Sequence, residues 1–189
     1  MRRLRYAVAM SLDGYIAGPQ GEADWIVMDP DIDFAGIFSE FDTLLMGRRT
    51  FTAIGEGGGG SGSGPFGEMT IVVVSRTLDR SRYPKVTVVN EDLQEAVMDL
   101  KKQPGKDIWL FGGGELFRSL LDLGLVDTVE VAVMPVVLGQ GVPLVPAPAR
   151  QARLTLTSHR VYTKTGTVSL AYDVKRPGPR AQRAARNSA

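Results

Sequence analysis

Ile108-Trp109-Leu110-Phe111-Gly112-Gly113-Gly114-Glu115-Leu116-Phe117-Arg118-Ser119-Leu120-Leu121 is the stretch on which the rest of the chain hangs. Four apolar residues in succession read as a buried strand, three glycines turn the chain, and Leu116, Phe117, Leu120 and Leu121 recur at helical spacing. A strand that passes through glycines into a helix start presents bare backbone N–H groups, reinforced by the helix dipole, to an anion. Without Cβ atoms at 112–114 a phosphate can come close to the main chain. The spacing is not G-x-G-x-x-G and there is no Walker lysine, so the turn alone leaves a phosphate cradle and a purely structural turn equally open.

Outward from this stretch, strands and helices alternate. Leu4–Met10 is an apolar strand followed by the Asp13-Gly14 turn signal. Phe34, Ile37, Phe38 and Phe41 predict an amphipathic helix over 34–41, capped by an aspartate of the cluster Asp29, Asp31 and Asp33. Thr43–Met46 is a short strand, and Gly47-Arg48-Arg49-Thr50 leaves it for a second helix start. The glycine-rich segment 55–65 reads as a loop by composition. Strands follow at Thr70–Val74 and Val86–Val89, then a helix through Leu93, Ala96, Val97 and Leu100 that stops near Pro104-Gly105. Asp127–Val137 is strand-like with a bend or edge at Pro135. Arg153–Arg160 and Thr167–Val174 alternate like half-exposed antiparallel strands. The expected fold is therefore α/β, three layers around a mixed, mainly parallel sheet with antiparallel C-terminal strands. Residues 1–175 are expected to form one domain and 176–189 a disordered basic tail.

Composition narrows the chemistry. The 189 residues carry a formal net charge of +1, so no strong field points to nucleic acid or to a membrane surface. There is no cysteine, which removes disulfides, thiolate nucleophiles and cysteine-held metals. The one histidine, His159, reads as a surface residue, and no metal site is expected. No apolar run reaches the length of a membrane span, and Asp13 and Gly14 interrupt the run behind Arg2, Arg3 and Arg5 too early for a signal peptide. A cytoplasmic protein is the expectation.

Three strand ends carry small or cationic groups: Gly47-Arg48-Arg49-Thr50, Ser75-Arg76-Thr77 and Gly112-Gly113-Gly114. Open α/β sheets bind ligands outside the carboxyl ends of their strands. A glycine turn suits a pyrophosphate and a Ser-Arg pair suits a further phosphate, a combination that describes NADPH rather than NADH.

The chain resembles the dihydrofolate reductase-like superfamily, and within it the reductase domain of bacterial riboflavin biosynthesis (the bifunctional deaminase-reductase family) in stand-alone form. The resemblance rests on five segments in consistent order across 1 to about 175. They are Met10-Ser11-Leu12-Asp13-Gly14-Tyr15-Ile16-Ala17, Met46-Gly47-Arg48-Arg49-Thr50-Phe51, Val74-Ser75-Arg76, Phe111-Gly112-Gly113-Gly114-Glu115-Leu116, and 134–144. It implies an NADPH-dependent oxidoreductase that passes a hydride to a small heterocyclic or sugar-imine substrate, as does 5-amino-6-(5-phosphoribosylamino)uracil reductase. Dihydrofolate reductase activity and a catalytically silent nucleotide-binding protein are the alternatives.

By position, the resemblance places Ala9 and Ile16 at the nicotinamide, and Gly47, Arg48, Arg49 and Thr50 on phosphates. Ser75 and Arg76 would read the 2′-phosphate, while Gly112, Gly113, Gly114, Glu115 and Leu116 would cover the pyrophosphate, with the Glu115 side chain turned away. For proton supply it offers Asp29, Asp31 and Asp13, and for the substrate Trp25, Asp33 and Phe34, with each aspartate alternatively a cap or turn residue. A homodimer is expected, as is common among related reductases. With no room ahead of Met10 and no cysteine, deaminase activity is not expected.

Overall fold

The computed structural model describes residues 1–59 and 66–175. Its centre is an eight-stranded sheet. Strand β1 (Leu4–Ser11) lies between β6 (Asp107–Gly112) and β7 (Thr128–Met134), parallel to both. Beyond β6 come β3 (Phe41–Gly47), β4 (Thr70–Val74) and β5 (Val86–Val89), all parallel. On the other side β10 (Thr167–Val174) runs antiparallel to β7, and β9 (Leu154–Tyr162) antiparallel to β10. The spatial order is β5-β4-β3-β6-β1-β7-β10-β9. The mixed sheet expected from the order of elements is the one found.

Among the described residues, four helices make the outer layers. Helices α3 (Leu93–Lys102) and α4 (Gly114–Asp122) cover one face, where Val97, Leu116, Phe117 and Leu120 close over Leu4, Tyr6, Ile108 and Leu110. The Tyr6 and Phe117 rings stack with centroids 3.9 Å apart. Helices α1 (Phe34–Ser39) and α2 (Arg48–Gly59) cover the other face, with Phe38, Phe51 and Ile54 against Phe41, Leu44, Met46 and Trp109. Each fully buried Leu, Val or Phe contributes about 1.5–3 kcal/mol. Helices of six to twelve residues do not persist alone in water, so this packing is what holds them.

Several expectations shift in detail. The helix predicted over 34–41 ends at Ser39, and Phe41 opens β3 instead, because the Asp107 N–H donates to the Glu40 carbonyl and draws the chain into the sheet. A side chain at i+7 of a helix and one at the head of the next strand can both turn to one core, so the spacing did not separate them. Pro135 lies just beyond the last residue of β7. The composition of 55–65 suggested a loop from Gly55, yet α2 continues to Gly59, and residues 60–65 lie outside those described. The tail 176–189 also lies outside them. Not foreseen were a two-stranded ribbon of β2 (Tyr15–Ala17) and β8 (Val142–Pro143), and a 3-10 turn at Arg80–Arg82. Among the described residues no helix is long and apolar enough to cross a membrane.

Candidate functional site

The register of the parallel strands brings the singled-out junctions to one edge of the sheet. Met46 stands opposite Gly112, and Gly47 opposite Val74. So the strand ends at Gly47, Val74 and Gly112 lie side by side on β3, β4 and β6, with β1 next in order. Here the sheet order reverses, with β3, β4 and β5 running outward one way and β7 added on the other, and that is where ligands enter such sheets.

The glycine turn is shaped by its neighbours. Gly113 has φ +90°, a conformation that other residues rarely adopt, and it precedes α4 with no side chain capping the helix start. A Cβ on Gly113 would lie 3.4 Å from the Thr50 hydroxyl oxygen, and one on Gly112 3.4 Å from the Thr50 methyl. The β3–α2 and β6–α4 junctions are thus in contact through Thr50. Gly114 is buried under the 143–146 segment, where a Cβ would collide with the Pro143 carbonyl oxygen. The Glu115 carboxylate pairs with Arg118 at 2.8 Å, and Leu116 is buried beneath the turn.

Cationic groups flank the turn. Arg48, Arg49 and Arg76 are exposed, and none has an ion-pair partner among the described residues. Ser75 is buried at the end of β4, where its Oγ accepts from the Thr77 and Leu78 N–H groups at 3.1 and 3.0 Å and sets the turn that carries Arg76. By contrast, a groove of about 330 Å³ beside α3 is lined by Glu91, Asp92, Glu95 and Asp99, which would repel a phosphate.

The β1 end is closed by woven loops. Ala9 faces Ala132 across the β1–β7 pair, and both are half-buried. Ile16 lies in β2 between Tyr15, which pairs with Pro143 of β8, and Ala17, which pairs with Val142, and Pro143 in turn packs on Gly114. Asp13 ties this region together: it accepts from Ser11 Oγ at 2.7 Å and from the Leu138 and Gly139 N–H groups at 3.1 and 2.7 Å. Those bonds, the Ser11 hydroxyl foremost, hold its carboxyl down to about 2.

The other aspartates also have structural partners. Asp29 accepts from the Asp31 N–H at 2.9 Å and from both the N–H and the hydroxyl of Thr165, in the β9–β10 turn. Burial works to raise its pKa, and these bonds outweigh it, so the net direction is down. Asp31 pairs with Lys164 at 2.7 Å. Asp33 caps α1 by accepting from the Gly36 N–H at 2.8 Å. Trp25 is half-buried and donates from Nε1 to the Glu22 carbonyl.

Phe34 belongs to an aromatic wall that was only partly visible beforehand. Its ring lies 6.1 Å from that of Phe38, which meets Phe66 and Trp109 at 5.6 Å, and Phe66 meets Phe111 at 5.1 Å. The wall runs from α1 to the residue before the glycine turn. Phe38 and Phe111 were legible only as core positions, and nothing local to Phe66, beyond the glycine-rich segment, marked it.

This arrangement has relatives. The sequence matches the RibD C-terminal domain over residues 2–168. The chain belongs to the RibD C-terminal domain family. An uncharacterized Bacillus subtilis protein, YyaP, is 36% identical over 180 residues, covering 90% of this chain and 94% of its own. A solved putative riboflavin biosynthesis protein from Shewanella sp. PV-4 superposes with TM-score 0.77 at 25% identity, over 93% of this chain and all of its own. The fold extends to dihydrofolate reductase from Enterococcus faecalis, complexed with NADP(H) and RAB-propyl. That structure gives TM-score 0.66 at 19% identity over 92% of this chain and 97% of its own. This RibD C-terminal domain is thus built on a dihydrofolate reductase-like fold.

Proposed function

We propose that the chain is an NADPH-dependent reductase that transfers a hydride to a small heterocyclic or sugar-imine acceptor, of the kind reduced by 5-amino-6-(5-phosphoribosylamino)uracil reductase. The observation that carries this reading is the adjacency, at one end of the sheet, of a glycine turn without a side-chain cap and three arginines that have no carboxylate partner among the described residues. These residues suit the cofactor: Gly112–Gly114 with the α4 start and Thr50 take the pyrophosphate, Arg48 and Arg49 neutralise phosphate charge, and Ser75 and Arg76 bind the 2′-phosphate. Glu115, already paired with Arg118, offers its N–H rather than its carboxylate. When bound, NADPH supplies the hydride.

The chain's own part is positioning. Ala9 and Ile16 border the nicotinamide, and the small side chain of Ala9 leaves room for a flat ring over β1. Phe34 and the aromatic wall hold the acceptor, with Trp25 and Asp33 at its margin. A carboxyl held down to about 2 has no proton to give near neutrality, so Asp13 anchors the β1–β2 turn. Asp29 and Asp31 fasten the loop that borders the acceptor, and the proton comes from water. We read the protein as a cytoplasmic homodimer.

The test is a titration with NADPH and NADH, followed by nicotinamide fluorescence, on wild type and Arg76→Ala, and then an acceptor screen that includes dihydrofolate. Loss of a charge-assisted bond at Arg76 should weaken NADPH roughly ten- to a hundredfold and leave NADH unchanged. Absence of binding by either cofactor overturns the reading. Binding without turnover on any acceptor marks a silent nucleotide-binding protein.

A further inference from the structure

Ala9 heads a row of residues that crosses four strands. It faces Ala132, Ala132 faces Ser169, and Ser169 faces Arg160. Alternation along β1 puts Ala9 on the same side as Ala7, which packs against the cluster of Phe41 and Trp109, so the row lies on the α1 side of the sheet. Ala9, Ala132 and Ser169 are half-buried and Arg160 is exposed. Towards the carboxyl end of β1 the next pair, Ser11 and Met134, is buried together with Thr167, close to where Asp29 is held by Thr165. In the other direction Ala7 faces Glu130, which Arg5 clamps with two nitrogens at 2.7 and 2.8 Å. Between a buried pair and a closed ion pair, only short side chains separate Ala9 from Arg160.

The cations around Arg160 are engaged. Arg3 pairs with Asp173 at 2.8 Å, Arg5 with Glu130, and Lys164 with Asp31 at 2.7 Å. Arg160 has no ion-pair partner among the described residues; its guanidinium stands over the Tyr162 ring, 4.7 Å from the centroid. Because β10 is antiparallel to both β7 and β9, β9 runs in the direction of β1, and Tyr162 lies towards the carboxyl end of the parallel strands. The guanidinium therefore leans to the end of the sheet where the cofactor junctions open.

We infer that Arg160, steadied by Tyr162 and with Ser169 opposite it, anchors an oxyanion at the far end of the acceptor, a phosphate or a carboxylate carried on a tail of the heterocycle. The inference rests on the reductase proposed above and adds to it a choice among acceptors. Three strand spacings, about 14 Å, separate the backbones of Ala9 and Arg160, and the arginine side chain spans part of that distance. A ring held between the aromatic wall and Ala9, with a tail the length of a pentose phosphate or an amino-acid side chain, bridges the rest. An acceptor without an acidic tail lacks this hold. Arg160 thus acts on which heterocycle is retained and takes no part in the hydride transfer itself.

NMR titration of the full chain tests this with three probes, ribose 5-phosphate, glutarate and, as the uncharged control, ribose, each with and without saturating NADPH. Ribose 5-phosphate or glutarate should shift the Ser169 N–H and Arg160 Nε–H signals at roughly millimolar concentration while ribose does not, and the anion that binds more tightly identifies the tail. Followed at Ser169, Arg160→Ala should weaken that anion about tenfold or more, Arg160→Lys should recover part of the loss, and Arg153→Ala, just ahead of β9, should change nothing. For any acceptor that is reduced, Arg160→Ala should raise KM about tenfold at unchanged kcat. Signals that move with neither anion, or that move equally in Arg160→Ala, overturn the inference, as does a fall in kcat at unchanged KM. NADPH binding without an Arg160-dependent shift removes the anchor and leaves the reductase standing. An Arg160-dependent shift in a protein that binds no NADPH keeps the anion site and overturns the reductase.

Discussion

The Asp29 carboxylate, 1% exposed, takes two hydrogen bonds from Thr165, one from the N–H at 3.1 Å and one from the hydroxyl at 2.8 Å. Residues 136 positions apart are joined there, so the loop ahead of α1 is fastened to the turn between β9 and β10. Thr165→Val removes the hydroxyl and leaves a buried carboxylate short of one donor. Amides of residues 18–33 should then exchange with solvent faster than in wild type while those of β1 and β6 do not change. Equal exchange in both proteins would show that the loop is held by something else.

Asp13 gives a pH signature. Its carboxyl is held down to about 2 in the folded chain, below the roughly 3.9 of a free aspartate. The folded value is the lower one, so its stabilisation is complete above the free value and disappears as pH falls towards 2. The melting-temperature gap between wild type and Asp13→Asn should therefore be widest above pH 4 and narrow from pH 4 to pH 2. A gap that stays constant through this window would mean that the charge of Asp13 does not contribute.

Three glycines separate packing from ligand approach. Gly114→Ala meets the Pro143 carbonyl, and a backbone atom cannot swing away, so a loss of roughly 1–3 kcal/mol is expected in urea unfolding. Gly113→Ala combines φ +90° with a contact at 3.4 Å to Thr50 and should cost about 1–2 kcal/mol. Gly47 has no atom within 4 Å of an added Cβ and no positive φ. Gly47→Ala should stay within about 0.5 kcal/mol of wild type. A fall in its NADPH affinity at unchanged stability would place the cofactor against β3, and full affinity would place it elsewhere.

Tyr6 carries a buried hydroxyl without a hydrogen-bond partner among the described residues, and burial pushes its pKa up. Tyr6→Phe keeps the stack on Phe117 and removes the unmet group. Stability should be equal or higher, by up to about 1 kcal/mol. A variant less stable than wild type by more than about 1 kcal/mol would contradict that account of the hydroxyl.

Much of this was legible beforehand because the information is local. The apolar run Ile108–Phe111, the three glycines and the helical spacing behind them specify strand, turn and helix with no knowledge of the rest. Absence of cysteine and a near-neutral charge exclude whole classes of site for the same reason. Tertiary structure alone decided what depends on distant partners. Asp13, Asp29 and Asp33 accept from donors at Leu138, Thr165 and Gly36, of which only the last lies nearby in sequence. Phe66 joined the aromatic wall, and Thr50 met Gly113, only once β3 and β6 lay in register. A residue type limits which bonds a side chain can make; which of them it makes is set by the groups that folding brings within about 3 Å.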